Sequence, residues 1–179
     1  MNKNTIAIID AGGRGAALVH KYSQNLTIEK ILAIPGNDMM QMNSQVPVTT
    51  YQHLKTTSVK EIVAICQKEK VTFVDVAQDN AVAVGLVDEL LKLGIQVVGP
   101  TKLAGEIEWN KAWSREFMKR HDITQPEFVV FDSVEKGIAY LNKQPDQKWF
   151  VKASGLCEGK GALPARTNEE AKERIQEVQ

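Results

Sequence analysis

Short apolar runs rich in β-branched residues alternate with helix-like segments through the first hundred residues, and this alternation constrains the fold more than any other feature of the sequence. The runs are continuously apolar, which is typical of parallel strands buried on both faces. Four clear runs lie at residues 5–9, 30–34, 71–77 and 95–98, and a weaker one lies at 46–51. Strand–helix units at this spacing predict an α/β fold, with a parallel sheet and helices on both faces.

Residues that favour helix ends mark the predicted helices of this region. A helix is predicted from about residue 16 to 22. Ser58, with a glutamate three residues later, predicts a capping box at the start of the next helix. A third helix is predicted to open at Asn80 and to end with Gly94 as its C-cap.

The character of the sequence changes after Pro100, which indicates a second region. The elements predicted there are a helical stretch at 102–120 interrupted near 109–110, a strand at 127–131, a helix at 134–141, a strand at 148–152 and a charged helix from 168. Trp109, Trp113 and Phe117 recur at four-residue spacing, and we expect this aromatic stripe to pack in a core.

Composition and charge exclude several classes of protein. Lys and Arg total 22, Asp and Glu total 22, and the two signs balance within each half of the chain. Because nucleic-acid binders carry a basic surplus, we expect no nucleic-acid partner. No apolar run approaches the roughly 20 residues that cross a bilayer, and no signal peptide is evident, so we expect a cytoplasmic chain without a membrane partner. The two cysteines and three histidines show no metal-binding spacing.

The first candidate binding segment follows the first predicted strand and contains Gly12, Gly13 and Arg14. Ligands of parallel sheets bind beyond the carboxyl ends of the strands. Glycines allow close approach of the backbone, a helix N-terminus favours an anion, and Arg14 could add a forked contact. The spacing is not that of a dinucleotide fingerprint, so phosphate binding and a plain strand-to-helix turn both remain open.

Two further segments carry polar or cationic groups. Asp79 and Asn80 follow the strand at 71–77, where they could bind a sugar hydroxyl or an amine, or could cap the next helix. The loop at 153–162 is rich in glycine and serine and is flanked by Lys152 and Lys160. Backbone amides and lysines of such a loop can cover a triphosphate, although a glycine-rich β-turn explains the same residues.

Six blocks, taken in order, resemble the N-terminal part of the phosphoribosylamine–glycine ligases, which are ATP-grasp enzymes of purine biosynthesis. The family blocks include GNGGREHAL, Pro-Gly-Asn, Gly-Pro-Glu, Ser-Lys-Ala-Phe and KADGLAAGKGV. The matching blocks of this sequence are residues 10–18, 35–37, 77–79 with Gly85, 99–101, 110–113 and 152–162.

The resemblance implies a fold and a reaction. It implies a Rossmann-like pre-ATP-grasp domain at 1–101, a helical linker at 102–121 and an incomplete first lobe of an α+β ATP-grasp domain at 122–179. In the implied reaction ATP phosphorylates the carboxylate of glycine. The amine of phosphoribosylamine then attacks the glycyl phosphate, which gives glycinamide ribonucleotide, ADP and phosphate.

The resemblance also implies roles for individual residues. Gly12, Gly13 and Arg14 would bind the 5-phosphate of phosphoribosylamine, and Asp79 and Asn80 would face its ribose or amine. The residues implied for ATP are Lys111, Lys152, Gly155, Glu158, Gly159, Lys160 and Gly161. No residue is assigned as catalytic, and the ligands of Mg²⁺ are expected outside this chain.

The sequence departs from the family pattern at several of these positions. Gly15 and Ala16 replace a Glu-His pair, Asp79 replaces a glutamate and Ser154 replaces an aspartate. These changes concern mainly the contacts with the amine substrate. Family members are more than twice this length, so we expect the chain alone to be an inactive fragment. Two alternatives stay open: another ATP-grasp carboxylate–amine ligase or biotin carboxylase, and a non-catalytic fragment that binds a sugar phosphate or nucleotide.

Overall fold

The computed structural model describes residues 3–155 and 161–178. Two compact units make up the chain, Met1–Gly105 and Glu106–Gln179. Among the described residues, no helix has the length and apolar character needed to cross a membrane.

The first unit is a parallel sheet with helices between its strands. Its elements are β1 (Asn4–Asp10), α1 (Gly13–Ser23), β2 (Ile28–Pro35), α2 (Asp38–Met42), β3 (Val48–Thr50), α3 (Val59–Lys68), β4 (Phe73–Val76), α4 (Asp79–Ala83), α5 (Leu86–Lys92) and β5 (Gln96–Val98). The strands lie in the order β3-β2-β1-β4-β5, and each neighbouring pair is parallel. The predicted α/β fold is therefore confirmed, and the segments that follow β1, β2 and β4 share one edge of the sheet.

Burial explains why the strands of this sheet are continuously apolar. β1 is the central strand, and its residues from Ile6 to Asp10 are all buried. Ile8 belongs to a core cluster that includes Val19 of α1 and Met40 of α2. Burying each such side chain contributes about 1.5–3 kcal/mol to folding.

Several helix ends differ from the sequence-based prediction. α1 begins at Gly13, earlier than predicted, so the glycine-rich segment forms its first turn. Two helices rather than one follow β4, because Gly85 adopts a left-handed conformation (φ +84°) between them. Gly94 follows α5 with φ +73°, as suits a residue that ends a helix. The capping box is wrong, since the Ser58 hydroxyl accepts a hydrogen bond from the amide of Lys55 (3.1 Å) and does not cap α3.

The second unit combines helices with a small antiparallel sheet. Its elements are α7 (Lys111–Arg120), α8 (Val134–Leu141), β6 (Trp149–Lys152), β7 (Ala162–Ala165) and α9 (Asn168–Glu177), preceded by α6 (Lys102–Trp109), which crosses from the first unit. β6 pairs with β7, and Leu141, Ala165 and Ala171 form the centre of a core cluster.

Two predictions for this unit are wrong, and one of its strands was not predicted. The strand at 127–131 does not form, and within the described residues it has no strand partner; Val129 is 50% exposed. The sequence did not predict β7, because Pro164 lacks a ladder donor and glycines precede it. The aromatic stripe is not core: Trp113 and Phe117 stack on each other (5.1 Å between ring centroids) but are only half-buried.

Candidate functional site

A buried carboxylate organises the carboxyl edge of the parallel sheet. Asp10, the last residue of β1, is fully buried. Its Oδ1 accepts a hydrogen bond from the amide of Gly12. Its Oδ2 accepts hydrogen bonds from Gln78 Nε2 (2.9 Å) and Arg14 Nε (3.4 Å). Asp10 therefore joins the end of β1, the first turn of α1 and the segment after β4.

The glycine-rich segment forms the start of α1. Gly12 is the N-cap residue and Gly13 the first helical residue. The first-turn amides of a helix have no intrahelical acceptor and favour an anion. The Gly12 amide already donates to Asp10, whereas the Arg14 side chain is 63% exposed. The remaining anion-binding capacity of this turn thus comes from the amides after Gly12 and from the outer nitrogens of Arg14.

The Pro-Gly-Asn segment after β2 is tied to the glycine-rich segment. Asn37 Nδ2 donates to the carbonyl of Ala11 (2.8 Å), and Asn37 Oδ1 accepts from the amide of Met39 at the start of α2. Gly36 has φ +72°, and a Cβ there would lie 2.8 Å from Ala33 Cβ. Only glycine fits this turn, which holds the segments after β1 and β2 together.

An open cleft of about 360 Å³ lies at this edge, lined by Ala11, Pro35, Leu54, Lys55, Thr56, Thr57, Gln78 and Asn80. Asn80 Oδ1 accepts a hydrogen bond from Thr56 Oγ1 (2.9 Å), and Asp79 Oδ1 accepts one from the amide of Asn80 (2.8 Å). The N-cap of α4 is Gln78, whose side chain does not cap the helix. Sequence reasoning missed the contribution of Lys55 and Thr56, which lie in a polar stretch without a local motif.

A second carboxylate, Asp75, lies within β4 and is also buried. The hydroxyl of Tyr22 donates to Asp75 Oδ2 (2.8 Å). Burial, followed by the contact with Asp75, raises the pKa of Tyr22 to about 12. This pair joins α1 to the sheet, and nothing in the local sequence around either residue pointed to it.

In the second unit, the start of α7 meets the beginning of the glycine-rich loop. Lys111 Nζ donates to the carbonyl of Gly155 (3.1 Å), and the amide of Gly155 donates to the carbonyl of Trp109 (3.0 Å). Ser154 Oγ donates to Asn110 Oδ1 (3.1 Å). The structure thus brings together two residues implied for ATP, Lys111 and Gly155.

Lys152 and Gly161 flank the loop from the two strands of the hairpin. Lys152 ends β6 and is exposed, and no hydrogen bond or ion pair holds its ammonium within the described residues. Gly161 is buried, and its carbonyl accepts a hydrogen bond from the amide of Ala153 (2.9 Å). The other residues implied for ATP, Glu158, Gly159 and Lys160, lie outside the described residues.

Across the part of the chain that the structure describes, no three or more His, Cys, Asp or Glu residues come together as a metal-binding group.

The match of residues 109–179 to a family model places the second unit in the ATP-grasp class. The model of the phosphoribosylglycinamide synthetase N domain matches residues 4–108, and that of the ATP-grasp (A) domain of the same synthetase matches residues 109–179. The chain belongs to the phosphoribosylglycinamide synthetase family.

Individual relatives agree with this assignment. The phosphoribosylamine–glycine ligase of Archaeoglobus fulgidus is 32% identical over 176 residues, which are 97% of this chain and 37% of that protein. The crystal structure of the Thermotoga maritima phosphoribosylamine–glycine ligase superposes with a TM-score of 0.70 at 22% identity, covering 94% of this chain and 38% of that one.

The fold is shared more widely. The biotin carboxylase domain of the Hydrogenobacter thermophilus 2-oxoglutarate carboxylase, solved with MgADP, ADP and bicarbonate, gives a TM-score of 0.73 at 18% identity. It covers 99% of this chain and 41% of that one. This likeness concerns the fold alone. The chain spans about two fifths of the length of the proteins it matches.

Proposed function

We propose that this chain is the N-terminal part of a ligase that joins glycine to phosphoribosylamine. ATP phosphorylates the carboxylate of glycine, the amine of phosphoribosylamine attacks the glycyl phosphate, and ADP and phosphate leave. The observation that carries the proposal is that both domain models of one synthetase match in succession over nearly the whole chain. The similarity to the biotin carboxylase domain is a similarity of fold at 18% sequence identity, and it does not favour biotin carboxylase chemistry.

The first unit would bind phosphoribosylamine. The first turn of α1, with Gly12, Gly13 and Arg14, would take the 5-phosphate, because helix amides and a guanidinium both favour an anion. Asp79 and Asn80 lie at the same sheet edge and would face the ribose or the amine. Because the Gly12 amide and Arg14 Nε donate to Asp10, the amides after Gly12 and the outer nitrogens of Arg14 would contact the phosphate.

The second unit would bind ATP. Lys111 and Lys152 supply positive charge beside the glycine-rich loop, and a lysine ammonium acts as a point charge for phosphates. Gly155 and Gly161 lie at the two ends of that loop and would contact ATP. Glu158, Gly159 and Lys160 complete the proposed contacts. When bound, Mg²⁺ would offset charge on the transferred phosphoryl group, and we assign no described residue to it.

A substrate-dependence assay tests this function. The whole protein that carries this sequence should release ADP only when glycine and phosphoribosylamine are both present, and mass spectrometry should detect glycinamide ribonucleotide. ADP release that depends on bicarbonate instead would overturn the proposal in favour of a carboxylase. Ligand-induced stabilisation without turnover would favour a non-catalytic binding role.

Lys152→Met tests the ATP-binding role, with Lys148→Met as the matched control four residues earlier on the exposed surface. Since charged hydrogen bonds contribute about 1.5–3 kcal/mol, Lys152→Met should lower ATP affinity by roughly ten- to hundredfold. Lys148→Met should leave it unchanged. Equal affinities for both variants, measured by calorimetric titration, would exclude Lys152 from the site.

A further inference from the structure

The residues between α6 and α7 make a compact set of contacts with Ser154. The hydroxyl of Ser154 donates to Asn110 Oδ1 (3.1 Å) and accepts from the amide of Ala112 (3.1 Å). Asn110 Oδ1 also accepts from the amide of Trp113 (3.0 Å), which makes Asn110 the N-cap of α7. Asn110 and Ser154 together therefore satisfy two of the free amides of the first turn. We call these two side chains the α7 tether.

The orientation of Asn110 is determined by its own hydrogen bonds. Its Nδ2 donates to Glu106 Oε1 (2.9 Å), and a carboxylate can only accept. The other end of the amide must therefore be the oxygen, which suits the two donors that face it, the Ser154 hydroxyl and the Trp113 amide. An amide with both ends satisfied is a fixed anchor for the Ser154 hydroxyl.

Next to the α7 tether, the amide of Gly155 is bound to the last residue of α6 and its carbonyl to the first residue of α7. The Gly155 amide donates to the carbonyl of Trp109 (3.0 Å), and the Gly155 carbonyl accepts from Lys111 Nζ (3.1 Å). Gly155 has φ +126°, which side-chain-bearing residues rarely adopt. The tether therefore sets where the backbone of Gly155 meets the ammonium of Lys111.

We propose that Asn110 and Ser154 are positioning residues for the nucleotide: they hold Lys111 and the first glycine of the loop in the arrangement that receives ATP. This inference rests on the proposed ATP-binding role of the second unit. Ser154 is exposed, and its hydroxyl contacts Asn110 and the amide of Ala112, the residues on either side of Lys111.

The donor and the acceptor of this hydrogen bond can be exchanged between its two partners. With serine at 110 and aspartate at 154, the donor and the acceptor change places, and the carboxylate can still accept the Ala112 amide. The paired exchange therefore keeps a donor facing an acceptor, whereas Ser154→Ala leaves Asn110 Oδ1 and the Ala112 amide without the Ser154 hydroxyl.

The experiment compares ATP dissociation constants of the whole protein and its variants by calorimetric titration. Ser154→Ala removes two neutral hydrogen bonds and should weaken ATP binding by roughly five- to thirtyfold. The exchange Asn110→Ser with Ser154→Asp should restore affinity to within about threefold of wild type. Ser133→Ala is the matched control, because Ser133 caps α8 in the same unit by accepting from the Lys136 amide (3.3 Å).

The outcomes separate placement from stability. Ser133→Ala should lower thermal stability without changing ATP affinity, whereas Ser154→Ala should change affinity and the KM for ATP more than the KM for glycine. Equal ATP affinity of wild type and Ser154→Ala, or no rescue by the paired exchange, would overturn the inference. A wild type that binds ATP without ligating glycine refutes the proposed reaction alone, because affinity still tests the tether. A wild type that binds no ATP overturns both.

Discussion

Adding one methyl group at Gly15 should destabilise the first unit, against the usual preference of helices for alanine. A Cβ at this position would lie 2.7 Å from Asp10 Cβ and 2.9 Å from Met40 Cε. The end of the Met40 side chain can move, but Asp10 Cβ is attached to the buried central strand. Favourable carbon contacts need about 3.5–4.0 Å, so β1 and α1 must separate by several tenths of an ångström or more.

The expected size of this effect combines two opposing terms. Overpacking of a well-packed core costs about 1–3 kcal/mol. Replacing glycine by alanine within a helix contributes about 0.5–1 kcal/mol in the opposite direction. We therefore expect Gly15→Ala to lower the free energy of unfolding of the first unit by about 1–2 kcal/mol. Gly13→Ala in the same turn is the control, because nothing lies within 4 Å of its Cβ, and it should be neutral or stabilising.

Amide hydrogen exchange in β1 and β4 is the appropriate assay, since all three tryptophans of the chain lie after residue 105 and report on the second unit. Gly15→Ala should speed exchange of these amides roughly five- to thirtyfold, and Gly13→Ala should not. The cost of Gly15→Ala should also shrink when Asp10 is changed to glycine. Exchange in Gly15→Ala as slow as in wild type would refute the steric argument.

Two further predictions follow from burial and from the sheets. The raised pKa of Tyr22 means that the folded chain keeps a proton that the unfolded chain loses above its ordinary pKa of 10.0. The free energy of unfolding should therefore fall as pH rises from about 10 to about 12. Denaturant titrations at several pH values in this range should show a smaller fall for Tyr22→Phe than for wild type. An identical dependence of the unfolding free energy on pH in both proteins would contradict this prediction. Amides of β6 should exchange faster than those of β4, because β4 lies between two strands, whereas among the described residues β6 pairs with β7 alone. Equal protection of β4 and β6 would show that the second unit is as stable as the first.

The alternation of elements in the first unit was predictable because it depends on local physics. β1, β2 and β4 are apolar throughout since both of their faces are covered, and that produces runs visible without any partner. The turn at Gly36 was predictable for the same reason, because it requires glycine at a single position. The same holds for the break near residue 110, where the Asn110 side chain caps the helix that follows it.

The second unit was less predictable because its strands depend on partners. Residues 127–131 have strand-like composition, but within the described residues no strand pairs with them. β7 contains Pro164 and follows glycines, so its pairing with β6 had no local signal. The aromatic stripe at Trp109, Trp113 and Phe117 is half-buried, so helical periodicity identified a face of the helix but not how deeply that face is buried.

The sequence by itself therefore determined the class of fold, the family to which the chain belongs, and which segments carry the candidate binding residues. The tertiary structure decided how those residues are held. Asp10 and Gln78 are hydrogen-bonded although 68 positions separate them, and Asn110 and Ser154 although 44 do. Strand and helix signals arise from neighbours a few positions apart, whereas a hydrogen bond between distant residues exists only once the strand order and the packing of the helices have brought its two atoms within about 3 Å.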